Sequence, residues 1–124
     1  MRDIIVTDHA PKPIGPYSQA VRANGFLFAA QIALDPHTNK FLEGDVVQQT
    51  ERVLENLRAI LTHAGVSLSQ VVKTTVFLKD MNDVAAMNEV YARYFPSAAP
   101  ARSTIQVSGL PKGALVEIEL VAAL

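Results

Sequence analysis

Between Val46 and Ala64 the apolar positions recur at three- and four-residue steps, as Val46, Thr50, Val53, Leu54, Leu57, Ile60, Leu61 and Ala64. Gln48, Glu51, Arg52, Glu55 and Arg58 lie off that stripe. This period predicts an amphipathic helix opened by Gly44-Asp45 and closed by Gly65, one face in the core and the other in water. A second stripe, Val84, Met87, Val90, Tyr91 and Tyr94, predicts a helix capped by Asp80 or Asn82 and running to about Phe95. Pro96 and Pro100 then end it, because proline lacks the N–H and pushes the preceding residue out of the α region.

Elsewhere the pattern is that of strands. Ile4-Ile5-Val6 reads as a short one, followed by a loop punctuated by Pro11, Pro13 and Pro16. Ala20–Ala23 and Phe26–Ile32 flank Asn24-Gly25, the strongest short hairpin signal, and predict two antiparallel strands. The second of these is apolar at nearly every position, so both of its faces call for cover, one by helix and one by something else, such as another subunit. Val71–Leu78 is β-branched and predicts a central strand; Ala101–Val107 re-enters as extended chain; Ala114–Ala122 alternates at period two. Val116, Ile118, Leu120 and Ala122 make its apolar face, and Leu115, Glu117, Glu119 and Val121 the other, which Lys73 and Thr75 join if the two strands pair. Two helices on one face of a mostly antiparallel sheet is an α+β sandwich.

At 124 residues the chain fits one domain, 1–124, with a sizeable core. Hydrophobic residues make up 49% and charged residues 19%, an apolar surplus for so small a chain that points to burial between subunits. The absence of cysteine excludes disulfides and thiolate metal sites, and suits the cytoplasm. The N-terminal apolar run turns polar at Thr7-Asp8-His9, too soon for a signal-peptide core, and no run is long enough to span a bilayer. A net charge of -1 with scattered Lys and Arg gives no footprint for nucleic acid or anionic lipid, which leaves small molecules as the favoured partners.

The chemistry has few candidates. His9, His37 and His63 lie in loops or near a helix end and read as surface residues; no phosphate loop, paired-histidine helix, calcium loop or nucleophile elbow is present. Arg102 stands alone in Pro100–Val107, either as a solvated strand-end charge or as a guanidinium fork waiting for a carboxylate. A hairpin turn at Ser108–Gly113 would bring Glu117 back alongside it. The pair is then either a cross-strand ion pair of a few tenths of a kcal/mol, or a carboxylate clamp beside a group that handles a proton or a water. Tyr17 reads as a ring packed on the sheet edge or as a ligand contact, and Asn88 as a polar helix-face residue.

Several motifs occur in order along nearly the whole chain: Gly15-Pro16-Tyr17-Ser18-Gln19-Ala20, Gln31-Ile32 with Asp35-Pro36 and Thr38, Val72-Lys73-Thr74-Thr75-Val76-Phe77-Leu78-Lys79-Asp80, Met87-Asn88, Pro100-Ala101-Arg102-Ser103, and Leu110-Pro111-Lys112-Gly113 through Val116-Glu117-Ile118-Glu119. Together they resemble the YjgF/RidA family. The resemblance implies a chorismate-mutase-like α+β protomer, a homotrimer with sheets facing inward, and ligand sites between subunits. It also implies hydrolysis of reactive 2-imino or enamine acids such as 2-iminobutanoate and 2-iminopropanoate to 2-oxo acids and ammonia, without cofactor or metal.

Carried over by position, Arg102 matches the carboxylate-binding arginine and Glu117 the glutamate that orients water. Tyr17 and Asn88 match cleft-lining residues, and Thr104 a position, often cysteine, whose backbone N–H faces the substrate carboxylate. Ala29-Ala30 departs from the usual Ser-Gly; a methyl at Ala30 narrows the pocket and bears on substrate range. The competing reading is a non-enzymatic module that binds small 2-oxo acids in the same cleft, where Glu117 has no chemical task. RNA cleavage, also attached to the family, is disfavoured by a neutral chain without a basic stripe.

Overall fold

The computed structural model describes residues 2–124. Six strands form one mixed sheet: β1 (Arg2–Ile5), β2 (Ala20–Ala23), β3 (Phe26–Gln31), β4 (Val71–Leu78), β5 (Ala101–Gln106) and β6 (Val116–Ala123), in the spatial order β1-β2-β3-β6-β4-β5. Two helices, α1 (Val46–His63) and α2 (Val84–Tyr94), pack against each other and cover one face. No helix among the described residues is long and apolar enough to cross a membrane.

Local chemistry accounts for the elements. Asp45 caps α1 by accepting the Gln48 N–H, while the Gln48 side chain accepts the Asp45 N–H; Gly65, at φ 76°, lets the chain turn back at the other end. Asn24 and Gly25 both adopt positive φ, 51° and 81°, as a tight two-residue hairpin requires. Asp80 accepts the Asn82 N–H and caps a single 3-10 turn that leads into α2. The stripes of both helices meet Leu27, Val76, Leu78, Val116, Ile118 and Leu120 in one core.

One expectation changes. The strand after α2 does not form a hairpin with β6. It runs parallel to β4, with Thr74 opposite Arg102, because a helical crossover returns the chain in the same direction, and it becomes the sheet edge. β6 then inserts between β3 and β4, antiparallel to both. β3 is covered on one face only: Leu27, Ala29 and Gln31 are buried, whereas Phe26 and Phe28 stay 42% and 44% exposed on the open face.

Candidate functional site

The edge strand carries one group of candidate residues. In a parallel pair, opposed residues share a face, so Arg102 and Thr104 lie on the helix side with their partners Thr74 and Val76. Thr74 is fully buried and shares a 2.7 Å hydrogen bond with the Tyr91 hydroxyl of α2. The Arg102 guanidinium carbon sits 4.7 Å from the centroid of that tyrosine ring. Burial raises the Tyr91 pKa, an effect opposed by the Thr74 hydrogen bond and the Arg102 charge. Asn88, three residues before Tyr91 on α2, has a buried Oδ1 with no partner among the described residues. An orphaned carbonyl of this kind costs about 1–3 kcal/mol unless a donor reaches it.

The open face carries the second group. Ala30 and Glu119 are opposed on β3 and β6, and Glu117 is opposed to Phe77 of β4, so Ala30, Glu117 and Glu119 share a surface with Lys73 and Thr75. A depression of about 310 Å³ there is lined by Phe28, Ala30, Lys73, Thr75, Glu119 and Val121, among others. The Lys73 ammonium donates to the Ser103 hydroxyl at 2.9 Å. Glu117 is half-buried; loss of water holds its carboxyl above the ordinary 4.5, and the neighbouring Glu119 carboxylate adds to the rise.

Tyr17 is separate again. It lies in the loop before β2, 51% exposed, and its hydroxyl accepts the Ile14 N–H at 3.1 Å. The buried Gln19 side chain ties that loop down, accepting the Thr7 N–H at 2.8 Å and donating to the carbonyls of Thr7 and Pro11. Because Ala20 opposes Ala29 while Gln31 opposes Ile118, Tyr17 lies toward the same end of the sheet as Glu117.

One protomer therefore does not bring its candidates together. Arg102 is level with Leu120 across β4, three residues along β6 from Glu117. That is about 10 Å along the strands and about 10 Å across them, with the two side chains on opposite faces. The cross-strand ion pair allowed by the sequence does not form: the ion pairs among the described residues are Arg58–Glu55 and Arg93–Glu51. Sequence reasoning took Tyr91 for a core stripe residue and missed its contact with Arg102, a contact that depends on the β4–α2–β5 crossover.

The Arg102 guanidinium on the edge strand and the raised Glu117 carboxyl on the open sheet face are thus two separate candidate groups on one six-stranded α+β protomer. The family model Ribonuc_L-PSP, described as "Endoribonuclease L-PSP", matches residues 7–124. A RutC family protein, PH0854 of Pyrococcus horikoshii, is 58% identical over 98% of this chain and 98% of its own. The 2-iminobutanoate/2-iminopropanoate deaminase of Mus musculus is 46% identical over 98% of this chain and 91% of its own. The crystal structure of E. coli TdcF with bound serine superposes with a TM-score of 0.92 at 41% identity, over 98% of each chain. The chain belongs to the YjgF/RidA family.

Proposed function

We propose that the protein hydrolyses 2-imino acids, of which 2-iminobutanoate and 2-iminopropanoate are the simplest, to 2-oxo acids and ammonia, in sites formed between the protomers of a homotrimer. The observation that carries this reading is the separation of Arg102 from Glu117. Each half-site holds what the other lacks, and the open face beside Glu117 exposes Phe26 and Phe28, a surface that another copy can cover. An edge strand of one protomer set against the open face of the next is a heterologous contact, which closes into a ring at the right rotation.

The chemistry asks little of such a site. Arg102 takes the substrate carboxylate through two parallel N–H···O bonds, with the Thr104 backbone N–H beside it. Asn88, on the helix face that carries Tyr91, lines the cleft on the Arg102 side. Glu117 holds a water against the imine carbon and takes its proton as the C–O bond forms. Glu117 then passes that proton to the nitrogen of the tetrahedral carbinolamine, the C–N bond breaks as the hydroxyl proton returns to Glu117, and ammonia leaves a 2-oxo acid and carries that proton off; water supplies every added atom. Tyr17 and Ala30 line the cleft on the Glu117 side. Uncatalysed imine hydrolysis is itself quick, so positioning and one proton relay are enough to be useful.

The mouse relative's name and the serine bound by TdcF both support a ligand with a carboxylate next to a carbon bearing nitrogen. RNA fits less well, because Glu117 and Glu119 on the open face set like charge against a phosphate backbone. The test couples a threonine dehydratase to release of the 2-oxo acid with semicarbazide present as an imine trap. The protein should outcompete the trap; if semicarbazide adduct forms at the same rate with and without it, hydrolysis is excluded. Binding of 2-oxobutanoate without any such competition would favour the sensor reading.

A further inference from the structure

The Arg102 guanidinium is held by its face and left free at its edges. It lies 4.7 Å from the centroid of the Tyr91 ring, yet among the described residues no hydrogen bond and no ion pair uses any of its five N–H donors. The ring itself cannot swing away. Tyr91 is 6% exposed, its hydroxyl is tied to Thr74 Oγ1 at 2.7 Å, and its ring packs at 4.7 Å, tilted, against Phe95. Thr74 sits on β4 directly opposite Arg102, so one buried hydrogen bond locks the platform to the strand that faces the arginine.

The geometry points to Tyr91 as a positioning residue that pre-orients the Arg102 fork for a planar carboxylate, a role that rests on the proposed function. An arginine on an exposed edge strand loses much rotamer freedom when it is fixed by a ligand, and that loss weakens binding. Stacking on an aromatic face removes part of the loss beforehand and holds the planar fork so that its edge, where the donors are, points away from the ring. A hydrogen-bonding anchor would hold the arginine as well but would consume donors. The aromatic face does not, which is why a ring suits this position.

Tyr91→Phe and Tyr91→Leu separate this role from a structural one. Both remove the hydroxyl's bond to Thr74 and lower Tm; only leucine removes the π face. Two readouts apply: 2-oxobutanoate affinity by calorimetry, and the Arg102 Cδ and Nε proton shifts in the ligand-free protein, which a ring beneath the guanidinium moves upfield. Tyr91→Phe should keep the upfield shift and bind within about twofold of wild type. Tyr91→Leu should lose the shift and bind about tenfold more weakly, the size of most of one arginine's rotamer freedom. Wild-type affinity in Tyr91→Leu overturns the positioning role, and so does a Tyr91→Phe loss as large as that of Tyr91→Leu, since binding would then follow stability. A wild-type protein that does not bind 2-oxobutanoate overturns the proposed function itself, an outcome distinct from both.

Discussion

Arg102 and Glu117 stand on opposite faces of one sheet, with β4 between their strands and three residues of register between their levels. Only a second protomer can bring such groups onto one small ligand, so assembly and activity should rise and fall together. Light scattering at micromolar concentration should give a mass near three times the 13.4 kDa protomer. A mass near one protomer would remove both the trimer and the shared site.

Arg102→Ala should remain a folded trimer without detectable imine hydrolysis. Hydrogen bonds to charged groups contribute roughly 1.5–3 kcal/mol each, so loss of the fork should lower kcat/KM by two orders of magnitude or more. Arg102→Lys should fail nearly as badly, because an ammonium keeps the charge without the planar two-point contact. Steady-state kinetics beside a thermal melt checks this; an active Arg102→Ala trimer would make the arginine a solvated edge charge.

Glu117 must be ionised to take a proton from water, and burial together with Glu119 holds its carboxyl above the ordinary 4.5. The sign follows: activity falls as pH drops through that raised value, so the acid limb of kcat/KM should lie above 4.5. Glu119→Gln removes one cause of the rise and should move the limb to lower pH. Glu117→Gln should abolish the limb and most turnover while retaining 2-oxobutanoate binding. A limb unmoved by Glu119→Gln would show that another group titrates.

Ala30 projects onto the open face and lines the depression there. Ala30→Gly should widen the cleft and raise kcat/KM for imino acids with branched side chains relative to 2-iminopropanoate, by about three- to tenfold for one or two methylenes' worth of room. An unchanged ratio across such a series would take Ala30 out of the specificity account.

Much of this architecture was legible in the chain. The Val46–Ala64 and Val84–Tyr94 stripes marked both helices, Asn24-Gly25 marked the hairpin, and the alternation from Val116 to Ala122 placed Glu117 and Glu119 on the face away from the helices. The neighbour of β5 was not legible. Ser108–Gly113 has the composition of a hairpin loop, and local turn chemistry does not say that β6 will slot between β3 and β4. That choice comes from burial: Ile118 and Leu120 alternate with Glu117 and Glu119, and a place inside the sheet gives both apolar side chains a full set of core neighbours. Tyr91 was hidden for a similar reason, since its helical spacing marks it as core and only the crossover puts Arg102 over its ring.

A mixed trimer tests the division of the site most directly. Arg102→Ala and Glu117→Gln should each be inactive alone, yet a site that takes its arginine from one protomer and its glutamate from the next is intact whenever the first is a Glu117→Gln chain and the second an Arg102→Ala chain. Co-expression in equal amounts with random assembly makes about a quarter of the sites intact. Imine hydrolysis by the purified mixed trimer should therefore recover to about a quarter of wild type; activity no higher than that of the separate variants would contradict a site shared between protomers.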